Sequence, residues 1–210
     1  EISTSALSVT ILTALVAVAG SGAVAAYGIG SRVTSIVVLP ALGLARGVET
    51  VVGQNLGAEQ PDRARRGVVA ASGIVVAALL AFSAGIYLLA DPIIGLFISG
   101  TGAVAVTDIG GEYLRIVGST YVFLGLFYVV QGGFRGSGDT RTAMVFAFLG
   151  FIVFRSAFAY ALAVPGGFGA TGVWYGEALA NVLMALAVAG YFSWGRWDGR
   201  VIDDDAAASA

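Results

Sequence analysis

Charged side chains set in apolar sequence are the first residues of this chain that could do chemistry. Arg32, Arg46 and Glu49 interrupt the stretch 28–66, which is rich in Val, Ile, Leu, Ala and Gly, and Arg155 and Glu177 stand in later apolar runs. Charge is costly in hydrocarbon, so such residues mark the paths of ions or solutes or pair with one another. Because stretch 28–66 also ends in a polar turn and three arginines, it is typical of a transporter or channel helix.

The residue inventory excludes most enzyme classes. The 210 residues include no Cys and no His, so thiolate chemistry, imidazole catalysis, disulfides and the usual transition-metal ligand sets are ruled out. Paired carboxylates do not occur within an apolar run, and two glycine-rich segments, GGFRGSG and AYGIGSR, do not complete a phosphate-binding loop. The three-arginine loop is too short for a nucleic-acid footprint. We therefore predict no catalytic residue, no metal site and no nucleic-acid partner.

The elements that position the charged residues must be membrane helices. Hydrophobic residues make up 58% of the chain and charged residues 11%, with a mean hydropathy of +0.89. Apolar runs of about 20 residues each match the length that crosses the hydrocarbon core. We expect an all-α integral membrane protein, a six-transmembrane-helix bundle in which Pro40 kinks the second helix and Asp91-Pro92 ends the third. The predicted spans are 2–20, 28–56, 68–90, 113–134, 142–164 and 172–194, followed by a cytoplasmic tail at 195–210.

The arginines predict the orientation of the bundle. Seven of the eleven basic residues follow the second, fourth or sixth span, whereas the loops after the first and fifth spans carry no charge. By the positive-inside rule the even-numbered exits are cytoplasmic, so both ends of this chain face the cytoplasm. Trp174 at the outer end of the last helix, and Trp194 and Trp197 at its inner end, are predicted interfacial anchors.

Helical register predicts two charge pairs. Arg155 stands eight residues before the outer end of the fifth span and Glu177 five after the start of the sixth, so at about 1.5 Å per residue their depths agree. We expect an interhelical ion pair that fixes the bundle, with Asn181, one turn beyond Glu177, bonding across helices or, alternatively, lining a cavity. Arg46 and Glu49 lie three residues apart and can pair along one helix, either as a neutralised pair or for ion coupling. Arg32 is expected to snorkel to the outer interface rather than to bind substrate.

One face of the fourth span combines aromatic and hydrogen-bonding groups, as cavities that bind organic compounds do. An equally good alternative is that the tyrosines serve only in packing and that the polar groups lie at the cytoplasmic end of the span. The residues on this face are Tyr121, Leu124, Tyr128, Gln131 and Arg135.

Four segments together resemble the multidrug and toxic compound extrusion family. They are VVGQNLGAEQPDRAR after the second span, PIIGLF after the third, GGFRGSGDTRTAM after the fourth and GATGVWYGEALANV in the sixth. The resemblance covers essentially the whole chain and implies the C-terminal lobe of a transporter that has twelve helices in two six-helix lobes. It implies efflux of organic, often cationic compounds in exchange for H+ or Na+, without another cofactor, by rocking of one lobe against the other. The implied partners are membrane lipid, the N-terminal lobe and small organic substrates, and the implied location is the plasma membrane.

Departures from the family pattern favour one of its branches. One branch places a Glu in the first helix of this lobe and an Asp in the fourth, where this chain has Ser5 and Leu124. The chain is thus more similar to the DNA-damage-inducible branch, in which the coupling carboxylate lies in the N-terminal lobe. Two alternatives stay open: a flippase of lipid-linked oligosaccharides from the same superfamily, and a structural lobe that is inactive without its other half. We expect the chain to be part of a longer protein.

Overall fold

The computed structural model describes residues 2–100 and 102–194, and in this part of the chain the regular elements are all helical. A π-helical turn at Leu149–Phe154 joins α7 to α8. The helices are α1 (Ile2–Ala17), α2 (Ser21–Gly57), α3 (Pro61–Leu88), α4 (Ala90–Gly95), α5 (Ala103–Gly118), α6 (Tyr121–Gly136), α7 (Thr140–Phe148), α8 (Arg155–Ala163) and α9 (Gly169–Trp194).

Long apolar helices dominate the bundle. Helices α2, α3, the continuous segment α7 to α8 and α9 are each long and apolar enough to cross a membrane. Helices α5 and α6 meet that test only as a pair, bent by 48° at Ser119 and Thr120. Together with the shorter apolar α1, these helices make the predicted six-helix bundle. The fourth predicted span is the bent pair of α5 and α6.

Several predicted helix limits are wrong. The turn expected at 20–28 lies instead at residues 18–20. It ends at Gly20, whose φ of 105° is readily adopted only by glycine, and α2 therefore begins at Ser21. Helix α3 begins at Pro61, where a missing N–H costs nothing, so Arg63 and the arginines after it are helical rather than in a loop. Asp91-Pro92 does not end α3, which stops at Leu88, but lies in the first turn of α4, where proline is tolerated.

The arginine-rich ends of the helices lie together. Arg65 at the start of α3 donates to the carbonyl of Ser193 near the end of α9, at 3.1 Å. Arg135 at the end of α6 contacts Glu49 on α2. This end of the bundle is the predicted cytoplasmic end, and Trp194 there is 96% exposed, as an interfacial anchor requires. Trp197 and the tail 195–210 lie outside the described residues.

Trp174 is not an interfacial anchor. Its side chain is fully buried and stacks on Tyr27, with ring centroids 5.7 Å apart, while the ring of Tyr113 meets it edge-on at 4.9 Å. The aromatic trio thus joins α2, α5 and α9. Burial against two other rings outweighed the interfacial preference on which the prediction rested.

Glycines allow the closest helix contacts. A Cβ at Gly172 would come within 2.6 Å of the backbone of Ala163, and a Cβ at Gly176 would overlap the backbone of Ala159. These two glycines lie one turn apart on α9, so its backbone can pack directly on that of α8. The contact brings Glu177 next to Arg155.

Candidate functional site

An open cavity of about 440 Å³ lies among α1, α2, α5, α6, α8, α9 and the π-helical turn. Its apolar wall includes Val38, Leu42 and Leu124, and aromatic rings contribute much of the remainder. Ser31 and Thr34 supply hydroxyl groups on the α2 side. A largely apolar lining with a few polar groups is the usual character of a site for a small organic molecule.

The four predicted cavity residues separate into two groups. Tyr128 lines the cavity. Tyr121 is fully buried behind the lining, where its hydroxyl lies 2.7 Å from Oγ1 of Thr34. Gln131 and Asn181 do not line the cavity, because both are fully buried and engaged in contacts between helices.

Gln131 forms a hydrogen bond that links α6 to the start of α7. Its Nε2 donates to the carbonyl oxygen of Ala143 on α7 at 3.0 Å. The neighbouring turn is closed by Asp139, which accepts from the backbone N–H of Thr142 and so caps α7. Gln131 therefore makes a contact between helices near the end of α6, on the side of the predicted cytoplasmic end, as the alternative for the polar groups of this face states.

The predicted ion pair between Arg155 and Glu177 is present. Nη2 of Arg155 lies 3.5 Å from Oε1 of Glu177, and both side chains are less than a tenth exposed, at 7% and 4%. The same Nη2 donates to Oδ1 of Asn181 at 2.8 Å, and the guanidinium carbon lies 5.1 Å from the centre of the Phe151 ring. Asn181 thus bonds across helices, as one of the two predicted alternatives states.

The π-helical turn helps to position this arginine. It ends immediately before Arg155 and carries Phe151 one turn earlier, so the ring and the guanidinium both line the cavity. Gly150 in the same turn packs against the side chain of Met184 on α9. Wide π-helical turns within α-helices are often found at functional sites, where they redirect side chains.

Polar contacts from the cavity reach the break between α5 and α6. Nδ2 of Asn181 donates to Oγ1 of Thr120 at 3.0 Å, and the Thr120 hydroxyl in turn donates to the carbonyl oxygen of Val117 at 2.7 Å. A continuous chain of polar contacts therefore runs from Glu177 through Arg155 and Asn181 to the bend.

Thr34 spans the same bend from the opposite side. Its Oγ1 lies 3.2 Å from the hydroxyl oxygen of Tyr113 on α5 and 2.7 Å from that of Tyr121 on α6. One α2 side chain therefore holds both halves of the bent span. Thr34, Tyr27 and Tyr113 were not predicted from the sequence as site residues. The helical spacing of Tyr27, Ser31 and Thr34 could have indicated a shared face, but the second span was predicted to begin at residue 28, which left Tyr27 outside it.

Glu49 pairs with Arg135, not with Arg46. Nε of Arg135 lies 3.3 Å from Oε2 of Glu49 across the contact between α6 and α2. Gly132 and Gly136 on α6 allow this approach, because a Cβ at either would overlap or crowd the α2 backbone. Arg46 is exposed and forms no ion pair within the described ranges. The predicted pair along the helix was wrong because a neighbouring helix offers Glu49 a closer partner.

Two further positions named from the family pattern can be placed. Leu124 lines the cavity, and Ser5 lies in α1. Arg32 lines the cavity with an exposed side chain and has no ion-pair partner among the residues described. No group of three or more acidic residues that could hold a metal ion was found in the described part of the chain.

Comparison with known proteins gives a consistent picture. The MatE family model matches residues 2–161. A probable multidrug resistance protein NorM of Bradyrhizobium diazoefficiens is 32% identical over 164 residues, which are 78% of this chain and 35% of that protein. A MOP superfamily transporter from Pyrococcus furiosus superposes with a TM-score of 0.89 at 21% identity, over 93% of this chain and 43% of that one.

Solved MATE transporters in two conformations match the same lobe. An outward-facing structure superposes with a TM-score of 0.82 at 22% identity and an inward-facing structure with 0.84 at 24% identity. Each match covers 96% of this chain and less than half of the solved chain, 44% and 46%. The superpositions show that the chain has the fold of one lobe of these solved transporters. The match to the family model over most of its length shows that this chain belongs to the MatE family.

Proposed function

We propose that the intact protein exports amphipathic organic compounds, many of them cationic, by antiport against protons or sodium ions. The observation that carries this proposal is the cavity of about 440 Å³, which combines aromatic rings, hydroxyl groups and a buried ion pair in one lobe of a MATE fold. Rings and a few hydrogen-bonding groups suit compounds that vary in shape but share an apolar body.

Alternating access is the proposed mechanism. The lobe superposes almost equally well on an outward-facing and an inward-facing relative, with TM-scores of 0.82 and 0.84. This supports a mechanism in which each lobe moves as a body and the cavity between lobes opens to either side in turn.

The second lobe is the proposed essential partner. The matched part of the chain spans 35% of the relative from Bradyrhizobium diazoefficiens and 39% of one from Thermotoga maritima, so each of these relatives is more than twice as long as the match. An N-terminal six-helix lobe would supply the other half of the cavity and, because Ser5 and Leu124 cannot bind a proton in the useful range, the coupling carboxylate. This assignment follows the DNA-damage-inducible branch, with the protein in the plasma membrane and the arginine-rich end in the cytoplasm.

A flippase for lipid-linked oligosaccharides is the second candidate. The observation in its favour is that two arginines, Arg32 and Arg155, line the cavity beside one carboxylate. The charge of Arg155 is paired with Glu177, and its Nη2 also donates to Asn181, so Arg32 is the one lining arginine in the described residues without an ion-pair partner for a phosphate group. Efflux therefore fits the lining better.

Dye efflux from vesicles tests the proposal. Vesicles that hold the full-length transporter are loaded with ethidium, and the proton and sodium gradients are collapsed separately. We expect efflux to stop when one of the two gradients is removed, which identifies the coupling ion. Efflux that is indifferent to both gradients, or no efflux at all, would contradict antiport and favour a lipid-linked substrate. Vesicles that hold only residues 1–210 should show no efflux.

A further inference from the structure

Glu177 is a buried carboxylate with an unused acceptor. The residue is 3% exposed and lines the cavity, and its Oε1 lies 3.5 Å from Nη2 of Arg155. Its Oε2 has no hydrogen-bond partner within the described residues. A charge-assisted hydrogen bond is typically about 2.7–2.9 Å long, so even the contact to Arg155 is longer than a full bond. A buried carboxylate oxygen left without a donor is unfavourable, which makes Oε2 ready to accept one.

Arg155 does not depend on Glu177 alone for its position. Its shorter contact, 2.8 Å, is to Oδ1 of Asn181, and its guanidinium lies over the Phe151 ring at 5.1 Å. The arginine can therefore stay in place while the carboxylate binds a second donor. Glu177 is the only carboxylate that lines the cavity in the described part of the chain, and the other charged lining residue is Arg32 on α2.

Aromatic surface adjoins the carboxylate. Tyr27 and Tyr113 line the same cavity, with ring centroids 5.8 Å apart and planes at 85°. The Trp174 ring behind them holds both in place. An amphipathic ligand can thus lay an aromatic body against these rings while its polar end meets Glu177.

We propose that Glu177 binds the ammonium group of amphipathic amine substrates, with its Oε2 accepting an N–H from a protonated primary or secondary amine. The inference rests on the proposed efflux function for its place in transport. It predicts a specific preference, because a quaternary ammonium has the same charge but no N–H and leaves Oε2 unpaired. A carboxylate ligand likewise offers Oε2 no N–H and should bind less tightly than the primary ammonium.

Three fluorescent probes that differ only at one end test this preference. They are dansylcadaverine, which ends in a primary ammonium, its N,N,N-trimethyl derivative and dansyl-aminohexanoate, which ends in a carboxylate. Binding to the purified full-length transporter in detergent is followed by the rise in dansyl fluorescence. We expect dansylcadaverine to bind about tenfold more tightly than the trimethyl probe, the difference that one charged hydrogen bond provides. Equal or tighter binding of either other probe would overturn the proposal.

Variants locate the preference at Glu177. Glu177→Gln should weaken dansylcadaverine binding by about tenfold and leave the trimethyl probe nearly unchanged. Because this change leaves Arg155 without a counter-charge, the double variant Arg155→Gln/Glu177→Gln, which is neutral at both positions, is measured beside it and should show the same loss. Glu49→Gln is the matched control, since Glu49 pairs with Arg135 and does not line the cavity.

The outcomes separate this inference from the proposed function. If the double variant keeps the wild-type preference for dansylcadaverine, Glu177 is not the ammonium site, whatever the transport result. If the preference is lost while gradient-driven ethidium efflux in wild-type vesicles is absent, the binding site stands and the efflux proposal fails.

Discussion

Burial distinguishes the ion pair between Arg155 and Glu177 from the ion pair between Arg115 and Asp91. The side chains of Arg155 and Glu177 are 7% and 4% exposed, whereas those of Arg115 and Asp91 are 38% and 46% exposed. In water an ion pair contributes little, because solvent screens both charges. In the interior, removal of one partner leaves the other charge stranded at high cost.

Arg155→Ala should therefore destabilise the full-length protein strongly. The expected loss is on the order of 3 to 5 kcal/mol, measured as a fall in thermal stability in detergent. Arg115→Ala is the control and should have a much smaller effect. Adding Glu177→Gln to Arg155→Ala should recover part of the loss, because it removes the stranded carboxylate. A wild-type Tm for Arg155→Ala would show that the pair does not hold the lobe together.

The charge pairs show what helical register can and cannot predict. The depths of Arg155 and Glu177 follow from counting residues along two helices, and the pair was predicted correctly. The partner of Glu49 was not, because the lateral neighbour of a residue depends on which helices touch and at what angle. Gln131 shows the same limit: its place on the face of α6 was predictable, but the carbonyl of Ala143 that it meets was not.

At the scale of elements, the contact between α8 and α9 depends on glycine. Gly176 is pressed against the backbone of Ala159, whereas Gly190 on the same helix has open space around the position of a Cβ. Gly176→Ala should force the helices apart and cost about 1–3 kcal/mol. Gly190→Ala should be neutral or stabilising, by up to about 1 kcal/mol, because alanine favours the helix. Unfolding of both variants in detergent provides the comparison, and equal Tm values would refute the packing argument.

The bend between α5 and α6 should depend on Thr34. Thr34→Val removes the hydroxyl that meets both Tyr113 and Tyr121 and leaves the buried Tyr121 hydroxyl short of a partner. We expect a loss of about 1–2 kcal/mol in stability. Thr50→Val on the same helix is the control, because its exposed hydroxyl bonds only to the carbonyl of Arg46 in its own helix. If both changes have the same effect on Tm, Thr34 does not brace the bend.

The sequence led to a correct prediction that long helices are present, but the bend between α5 and α6 and the π-helical turn before α8 were not predicted. Apolar runs and the arginines between them located the bundle, since burial in lipid requires long uncharged helices. The bend at Ser119 and Thr120 has no proline, and the π-helical turn before Arg155 lies in an unbroken apolar run. The bend begins at the pair Gly118-Ser119, a local signal for a helix kink that the prediction did not use. Gly150 in the π-helical turn packs against Met184 on α9, and such a contact between helices is not readable from local sequence.

At the scale of the whole molecule, orientation is open to direct measurement. The 210 residues contain no Cys, so a single cysteine introduced into this lobe can be labelled selectively in a full-length protein from which any other cysteine has been removed. Ala58→Cys, between α2 and α3, should react with a membrane-impermeant maleimide only from the cytoplasmic side. Phe168→Cys, between α8 and α9, should react only from outside. The reverse pattern in intact cells would invert the predicted topology.

The length of α2 has a mechanical consequence. Its 37 residues extend about 55 Å, well beyond the roughly 30 Å of hydrocarbon, and continue through Pro40. The half before Pro40 carries the Thr34 wall of the cavity, and the half after it carries the Glu49 contact with Arg135. A rod of this length acts as a lever: a tilt of about 10° about its middle moves each tip by about 5 Å. A slight rotation of this lobe is therefore amplified into a displacement as wide as a helix turn at both membrane surfaces.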